Sequence, residues 1–282
     1  MASEVALEGR VTLGHHRMLG TVGAKTLRDQ RRALVWWGLG FVGTVLMYAA
    51  FWPNVRQNAE QLTKYIKDMP DVVRNLIGGV DFATPEGYVQ SELFSFIAPI
   101  LLLVYAVGAG ARSIAGEEEA GSLDLLLSTP VRRSRVLLGK FGAMLAATFG
   151  LVLVMWLSVL AVGPLFDLRP NLTGLTAMSI NTFLLGLGFG TVALAIGAGT
   201  GSKGLAIGVP SGIALVTFIL NALAPSVDWL EPARLLSPFY YYSGSQPILN
   251  GLDPVHALAL AAITVVALGV ALWVFERRDL AT

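Results

Sequence analysis

The chain has 282 residues, 54% hydrophobic and 14% charged, with a formal net charge of +1. A soluble domain carries about 25% charged residues, so an ordinary soluble globule is excluded. There is no cysteine, which excludes disulfides and thiolate chemistry. The near-neutral balance also gives no footing for a nucleic-acid partner.

Six apolar runs are long enough to cross a bilayer, which takes about 20 residues at 1.5 Å rise each. The expected class is an all-α integral membrane protein with six transmembrane helices. The spans are expected at Ala33–Trp52, Leu93–Ala115, Val136–Val162, Leu175–Ala198, Gly204–Ala224 and Val255–Phe275. With the N-terminus placed in the cytosol, fourteen of the 20 lysines and arginines fall in inner segments. The basic residues of a membrane protein concentrate there. Both termini are therefore expected inside.

Residues 1–32 read as a cytosolic tail leading into an interfacial amphipathic helix, with residues 33–282 forming the six-span membrane body. Val11, Met18, Leu19 and Val22 share one face of that helix, as a surface-lying helix requires. A disordered basic tail is the alternative. No cleavable signal peptide is expected, because about thirty polar or mixed residues precede the first apolar run.

Residues 53–92 form the first outer segment. Leu62, Tyr65, Ile66 and Met69, then Val72, Val73, Leu76 and Ile77, recur at helical spacing. They predict two short amphipathic helices, which either cap a path or pack against the bundle. Residues 225–251 form a second outer segment, rich in Pro and Tyr. Trp229, Tyr240, Tyr241 and Tyr242 suit the headgroup level, and a short helix is expected over Leu230–Leu236. The fourth span is glycine-rich. Gly186 and Gly190 stand four apart, a spacing that lets helices approach closely, within the chain or across a dimer.

Between the second and third spans lies a polar segment, residues 112–140. Glu117, Glu118 and Glu119 precede Leu123, Leu126 and Leu127, which share a helix face. Gly116 and Gly121 are expected to allow turns on either side, and Pro130 to stop the helix. A short helix at the inner surface, offered to a partner's groove, is one reading. A solvated loop dipping its leucines into lipid is the other. The glutamates are expected to favour the N-terminal dipole of that helix and to be exposed enough to meet arginines of a partner.

GAGTGSKG at 197–204 is not a phosphate loop. Lys203 follows Ser202 and precedes Gly204, where the motif needs Gly before and Ser or Thr after. A tight inner turn is expected instead. His15, His16 and His256 have no metal-ligand spacing, and no enzyme site or bound cofactor is expected. The spans carry almost no ionisable residue, which disfavours an ion-coupled carrier. Their uncharged interior favours an apolar or amphiphilic substrate. Phe94, Phe96, Phe218 and Asn221 are the residues expected along its pathway.

IAGEEEAGSLDLLLSTPVRRSRVLLGK at 114–140 resembles the central motif of bacterial ABC transporter permeases of the ABC-2 type. TPEGYVQSELFS at 84–95, LSPFYYY at 236–242 and FERRDL at 275–280 extend the likeness over most of the chain. The resemblance implies a six-span, type V exporter-like permease in the inner (plasma) membrane. It implies two cytosolic ATP-binding subunits, which would hold the ATP and Mg, and a second permease, the same chain or a homologue. It places Glu117–Ser128 at a first coupling helix, Thr200–Gly204 with Lys203 at a second inner contact, and the N-terminal amphipathic stretch at an interfacial connecting helix. Family members move diverse substrates, and some assist copper-site assembly. No Met/His cluster lies on a plausible pathway here, so a soft-metal conduit is disfavoured. A passive channel or ion-coupled carrier without an ATPase is the alternative function.

The topology is directly testable, since an engineered cysteine would be the chain's only one. Lys64→Cys should react with an impermeant thiol reagent from outside the cell, and Ser134→Cys only from the cytosolic side. The reverse pattern would invert the orientation.

Overall fold

The computed structural model describes residues 2–59, 61, 64, 68–70, 73, 83–121, 132–227 and 229–278, with the backbone alone for residues 2–22. Among the described residues, six helices are long and apolar enough to cross a membrane: Gly23–Gln57, Pro85–Glu119, Arg133–Phe166, Leu172–Thr200, Lys203–Ser226 and Pro254–Arg277. These are the first to sixth spans, and each contains the run the sequence predicts. No strand occurs among the described residues. The two short amphipathic helices expected in the first outer segment lie largely outside the described residues, as does the leucine helix over 123–127.

Helix starts are written locally. Asn171, Ser202 and Asp253 accept hydrogen bonds from Thr173, Leu205 and Val255 backbone N–H groups at 2.8, 3.3 and 2.8 Å. Such side chains satisfy donors that the first helical turn leaves unpaired. Thr84 caps the second span in the same way through Gly87 at 3.1 Å, and Pro85 follows it at the first helical position. That span therefore begins eight residues before the expected Leu93. The first helix runs unbroken from Ala2 to Gln57, so no break separates residues 23–32 from the first span.

The fourth span is the centre of the bundle. It packs against the second, third, fifth and sixth spans, and 67% of its apolar window is buried. The first span leans mainly on the third. The first and fifth spans are the most lipid-facing, each with 17% of the window buried.

Small residues make this centre possible. A Cβ added at Gly110 of the second span would collide with the Gly190 carbonyl of the fourth. One added at Gly190 would meet the Ala106 carbonyl and the Met144 sulfur, each at 3.0 Å. The two backbones touch, as small-residue pairs in membrane helices permit. Gly186 likewise abuts Leu102. Both glycines of the predicted pair therefore serve contacts within the chain.

The second span is not a uniform α-helix. Val89–Ile97 is a π-helix, in which the Ala98 N–H bonds the Leu93 carbonyl. Arg112–Gly116 is a second π segment. Such wide turns disturb the regular ladder and cluster at functional places.

At the end opposite Glu117–Glu119, the hairpin end, buried polar side chains stitch the connections together. The Trp52 indole donates to the Asp167 carbonyl at 3.3 Å and Tyr88 to the Tyr48 carbonyl at 2.8 Å. The expected helix over Leu230–Leu236 is present as a 3-10 helix, Glu231–Leu236. Tyr242 corrects the headgroup expectation. It is 2% exposed, and its hydroxyl donates to the Phe94 carbonyl at 2.7 Å. Asn181 donates to the Tyr242 carbonyl at 3.0 Å. Burial pushes the Tyr242 hydroxyl far above its usual range, with the Thr182 hydrogen bond opposing, so it remains a neutral donor. Three consecutive tyrosines carry no signal as to which one turns inward.

Gly110→Leu should lower stability in detergent by about 1–3 kcal/mol or prevent folding, because the core cannot absorb the added volume. Gly150→Leu, where an added Cβ meets nothing within 4 Å, should unfold like the parent. Thermal scans of both purified variants make the comparison.

Candidate functional site

Two features of the bundle are built for more than packing: a node of charged side chains at one end, and an apolar groove between the second and fifth spans.

The node forms where the second span ends. Gly116 was expected to allow a turn, but it has φ −69° and the helix passes through it. The chain stays helical to Glu119 and breaks at Gly121, where φ is +67°, a conformation glycine adopts without steric cost. Glu117, Glu118 and Glu119 thus occupy the last turn of the second-span helix. There they oppose its dipole and need cationic or N–H partners.

Each finds one on a different helix. Glu117 pairs with the Lys140 ammonium of the third span. Lys140 is 5% exposed, and a buried ammonium is costly unless paired. Glu118 and the Arg278 guanidinium, just past the sixth span, form a two-pronged bridge at 2.9 and 2.6 Å. Arg278 also reaches the Ala198 carbonyl at 3.4 Å. Glu119 accepts the Lys203 backbone N–H at 2.9 Å. A carboxylate at a helix N-terminus complements its partial positive charge, so the expected dipole contact exists, but to the fifth span's helix. Arg133 adds a further tie, donating to the Phe275 and Arg278 carbonyls.

The glutamates, expected to be exposed for a partner, are therefore engaged within the chain. Glu119 alone is exposed, while Glu117 and Glu118 are half-buried. Lys203 joins the node through its backbone and stands at the tight turn predicted between the fourth and fifth spans. That turn is Gly201 at φ +67° followed by the capping Ser202. Leu123, Leu126 and Leu127 lie outside the described residues. Sequence reasoning missed Lys140 and Arg278 as partners. The one available signal was that Lys140 stands inside an expected apolar run and must be paired there.

The groove encloses about 630 Å³. Phe96, Leu103 and Val107 form one wall, Ala214 and Phe218 the other, and Phe239 closes it. Ile100, Val104 and Leu215 at its rim are exposed at 50, 59 and 61%, so it opens sideways towards lipid. Arg112 stands at the end nearest the node. Phe96 and Phe218 are in edge-to-face contact at 5.4 Å, Phe218 meets Phe239 at 5.2 Å, and Phe239 meets Tyr242 at 6.4 Å. This aromatic series joins the groove to the buried tie on the Phe94 carbonyl.

Of the four residues expected along a pathway, Phe96 and Phe218 line this groove together. Phe94 is fully buried in the core, one helix face away. The Asn221 amide oxygen accepts from the Arg234 guanidinium at 3.0 Å, towards the hairpin end. No group of three His, Asp or Glu side chains that could hold a metal exists among the described residues.

Lys140→Met should destabilise the protein by about 2 kcal/mol, since it strips a charged partner from Glu117. That figure is discounted because the Glu117 side chain keeps 30% exposure. Adding Glu117→Gln should recover part of the loss, and a double-mutant cycle in thermal unfolding reads the coupling.

Comparison with known proteins bears on the whole chain. Residues 21–280 match the model of the ABC-2 family transporter proteins. The chain is also 33% identical over 156 residues to the "Probable ABC transporter permease protein NosY" of Pseudomonas aeruginosa. That alignment covers 52% of this chain and 54% of the relative, so the chain spans about half the length of the curated relative it matches. With six candidate spans among the described residues and a family match running nearly end to end, the protein belongs to the ABC-2 family of transporter proteins.

Proposed function

We propose that this chain is the membrane-spanning permease subunit of an ATP-driven exporter for an apolar or amphiphilic substrate. Two copies of a separate cytosolic ATP-binding subunit supply the energy and hold ATP and Mg. A second permease, this chain or a homologue, completes the complex. The protein sits in the inner (plasma) membrane with both termini in the cytosol.

The observation that carries this reading is the family match over residues 21–280, together with the node. An exporter driven from outside its own chain needs a place where an external push reaches several spans at once. The last turn of the second span is bonded to the third, fifth and sixth spans through three successive carboxylates. Residues 122–131 follow that turn in the sequence.

In the proposed mechanism, Leu123, Leu126 and Leu127 dock in a groove of the ATP-binding subunit, and the turn at Lys203 makes the second contact. Closure of the ATP-binding pair moves these contacts. The two ion pairs and the Glu119 hydrogen bond carry the displacement into three spans together, and the groove between the second and fifth spans changes shape. Its apolar walls, with Phe96 and Phe218 in contact and Arg112 at one end, suit an acyl or other apolar body better than a hydrated ion. A passive channel or ion-coupled carrier is the second reading. It is disfavoured by the scarcity of ionisable side chains in the spans.

Docking and transmission separate by mutation. An apolar anchor filling a groove is worth about 2 kcal/mol or more, whereas the Glu118 carboxylate is engaged with Arg278 inside the chain. Leu126→Asp should abolish co-purification of the ATP-binding subunit. Glu118→Gln should keep assembly largely intact while weakening transport-coupled ATPase stimulation. Normal assembly and coupling in Leu126→Asp would return the segment to a solvated loop.

A further inference from the structure

The first span packs through one face, on which Phe41, Val45, Ala49 and Trp52 are buried. Its opposite face is open. At the node end of that face stand Lys25, Arg28 and Arg32, with Arg31 at its flank, all exposed. Among the described residues none of these four is in an ion pair, and Asp29 is the one carboxylate among them.

Their placement is ordered. Lys25, Arg28, Arg32, Trp36 and Leu39 follow one another at three- and four-residue steps, so they form a single stripe along the helix. Trp36 is 73% exposed, Val35 60% and Leu39 54%. Beyond them, a Cβ added at Gly40 or Gly43 would meet nothing within 4 Å, which leaves a shallow, smooth channel. Read along the membrane normal, the stripe runs from unpaired cations to an indole to an apolar trough.

That sequence of chemistries is the shape of an anionic glycerophospholipid. We propose that the stripe is a binding site for one such lipid. Arg28 and Arg32 hold the phosphate, and Lys25 and Arg31 add charge. The Trp36 indole sits at the glycerol level, where tryptophans are favoured. One acyl chain lies along Val35, Leu39 and Gly43. Cations at a membrane surface attract anionic headgroups, and with Asp29 offsetting one of the four charges the cluster keeps a clear positive excess. A second copy of this chain is a poorer occupant. A two-fold contact about the membrane normal would set the four cations against their own copies, where like charges repel. The assignment to the inner leaflet rests on the cytosolic placement of residues 23–32 proposed above; the site itself does not.

The test uses the full chain in nanodiscs, with an environment-sensitive fluorophore on Leu39→Cys, the chain's only cysteine. Brominated phosphatidylglycerol should quench it at a far lower mole fraction than brominated phosphatidylcholine. Arg28→Gln with Arg32→Gln should weaken the preference for phosphatidylglycerol by about 25-fold, roughly fivefold for each arginine removed. Arg56→Gln, at the other end of the same helix, should leave it unchanged. Equal quenching by the two lipids in the parent protein would overturn the proposal without reference to any variant. An equal loss in Arg56→Gln would reduce it to diffuse attraction. Disulfide cross-linking of Leu39→Cys between copies would show that a second chain covers this face instead.

Discussion

Lipid tails are as apolar as leucine side chains, so no solvent-driven force presses membrane helices together. The bundle is held where backbones come close enough for dense van der Waals contact. Here that place is the crossing of the second and fourth spans, where Gly110 and Gly190 leave no room for a Cβ. Everything central is built outward from that contact. Met144 of the third span seals the same spot, and Thr182 and Asn181 of the fourth tie to the hairpin-end connection through Tyr242. The first and fifth spans stand outside this centre and turn most of their surface to lipid.

At the node the problem is electrostatic. Three consecutive carboxylates on a helix's last turn face an unfavourable dipole and one another. Separation by 100° per residue sends them in three directions, and each meets a different helix. Lys140 is drawn into the bundle as the partner of Glu117, Arg278 anchors the sixth span to Glu118, and Glu119 caps the fifth. A cluster that would repel itself becomes the joint of four spans. A displacement applied there has no single helix to move.

One end of the groove is built on an irregular stretch of helix. Phe96 and its neighbours leave a π-helix, whose wider turn shifts the register of every side chain after it. The aromatic contacts from Phe96 to Tyr242 then place a buried hydrogen bond at one end of the series and an open apolar groove at the other. A change in the second span's winding would be felt at both ends.

The sequence by itself determined the class, the number of spans and the family. Long apolar runs have one stable fate in a bilayer, because every backbone donor must be paired within its own helix. The capping residues Asn171, Ser202 and Asp253 are equally local, so the starts of the fourth, fifth and sixth spans were legible to within a few residues. The residues of the 114–140 motif were legible as a unit too. Their bonding was not. Glu118 and Arg278 are separated by 160 positions, and no periodicity relates them. Whether Gly116 bends or continues the helix, which of three tyrosines turns inward, and which of Phe94 and Phe96 meets the groove all depend on neighbours from other spans. Those choices were decided only by tertiary structure, because they are set by contacts distant in the chain.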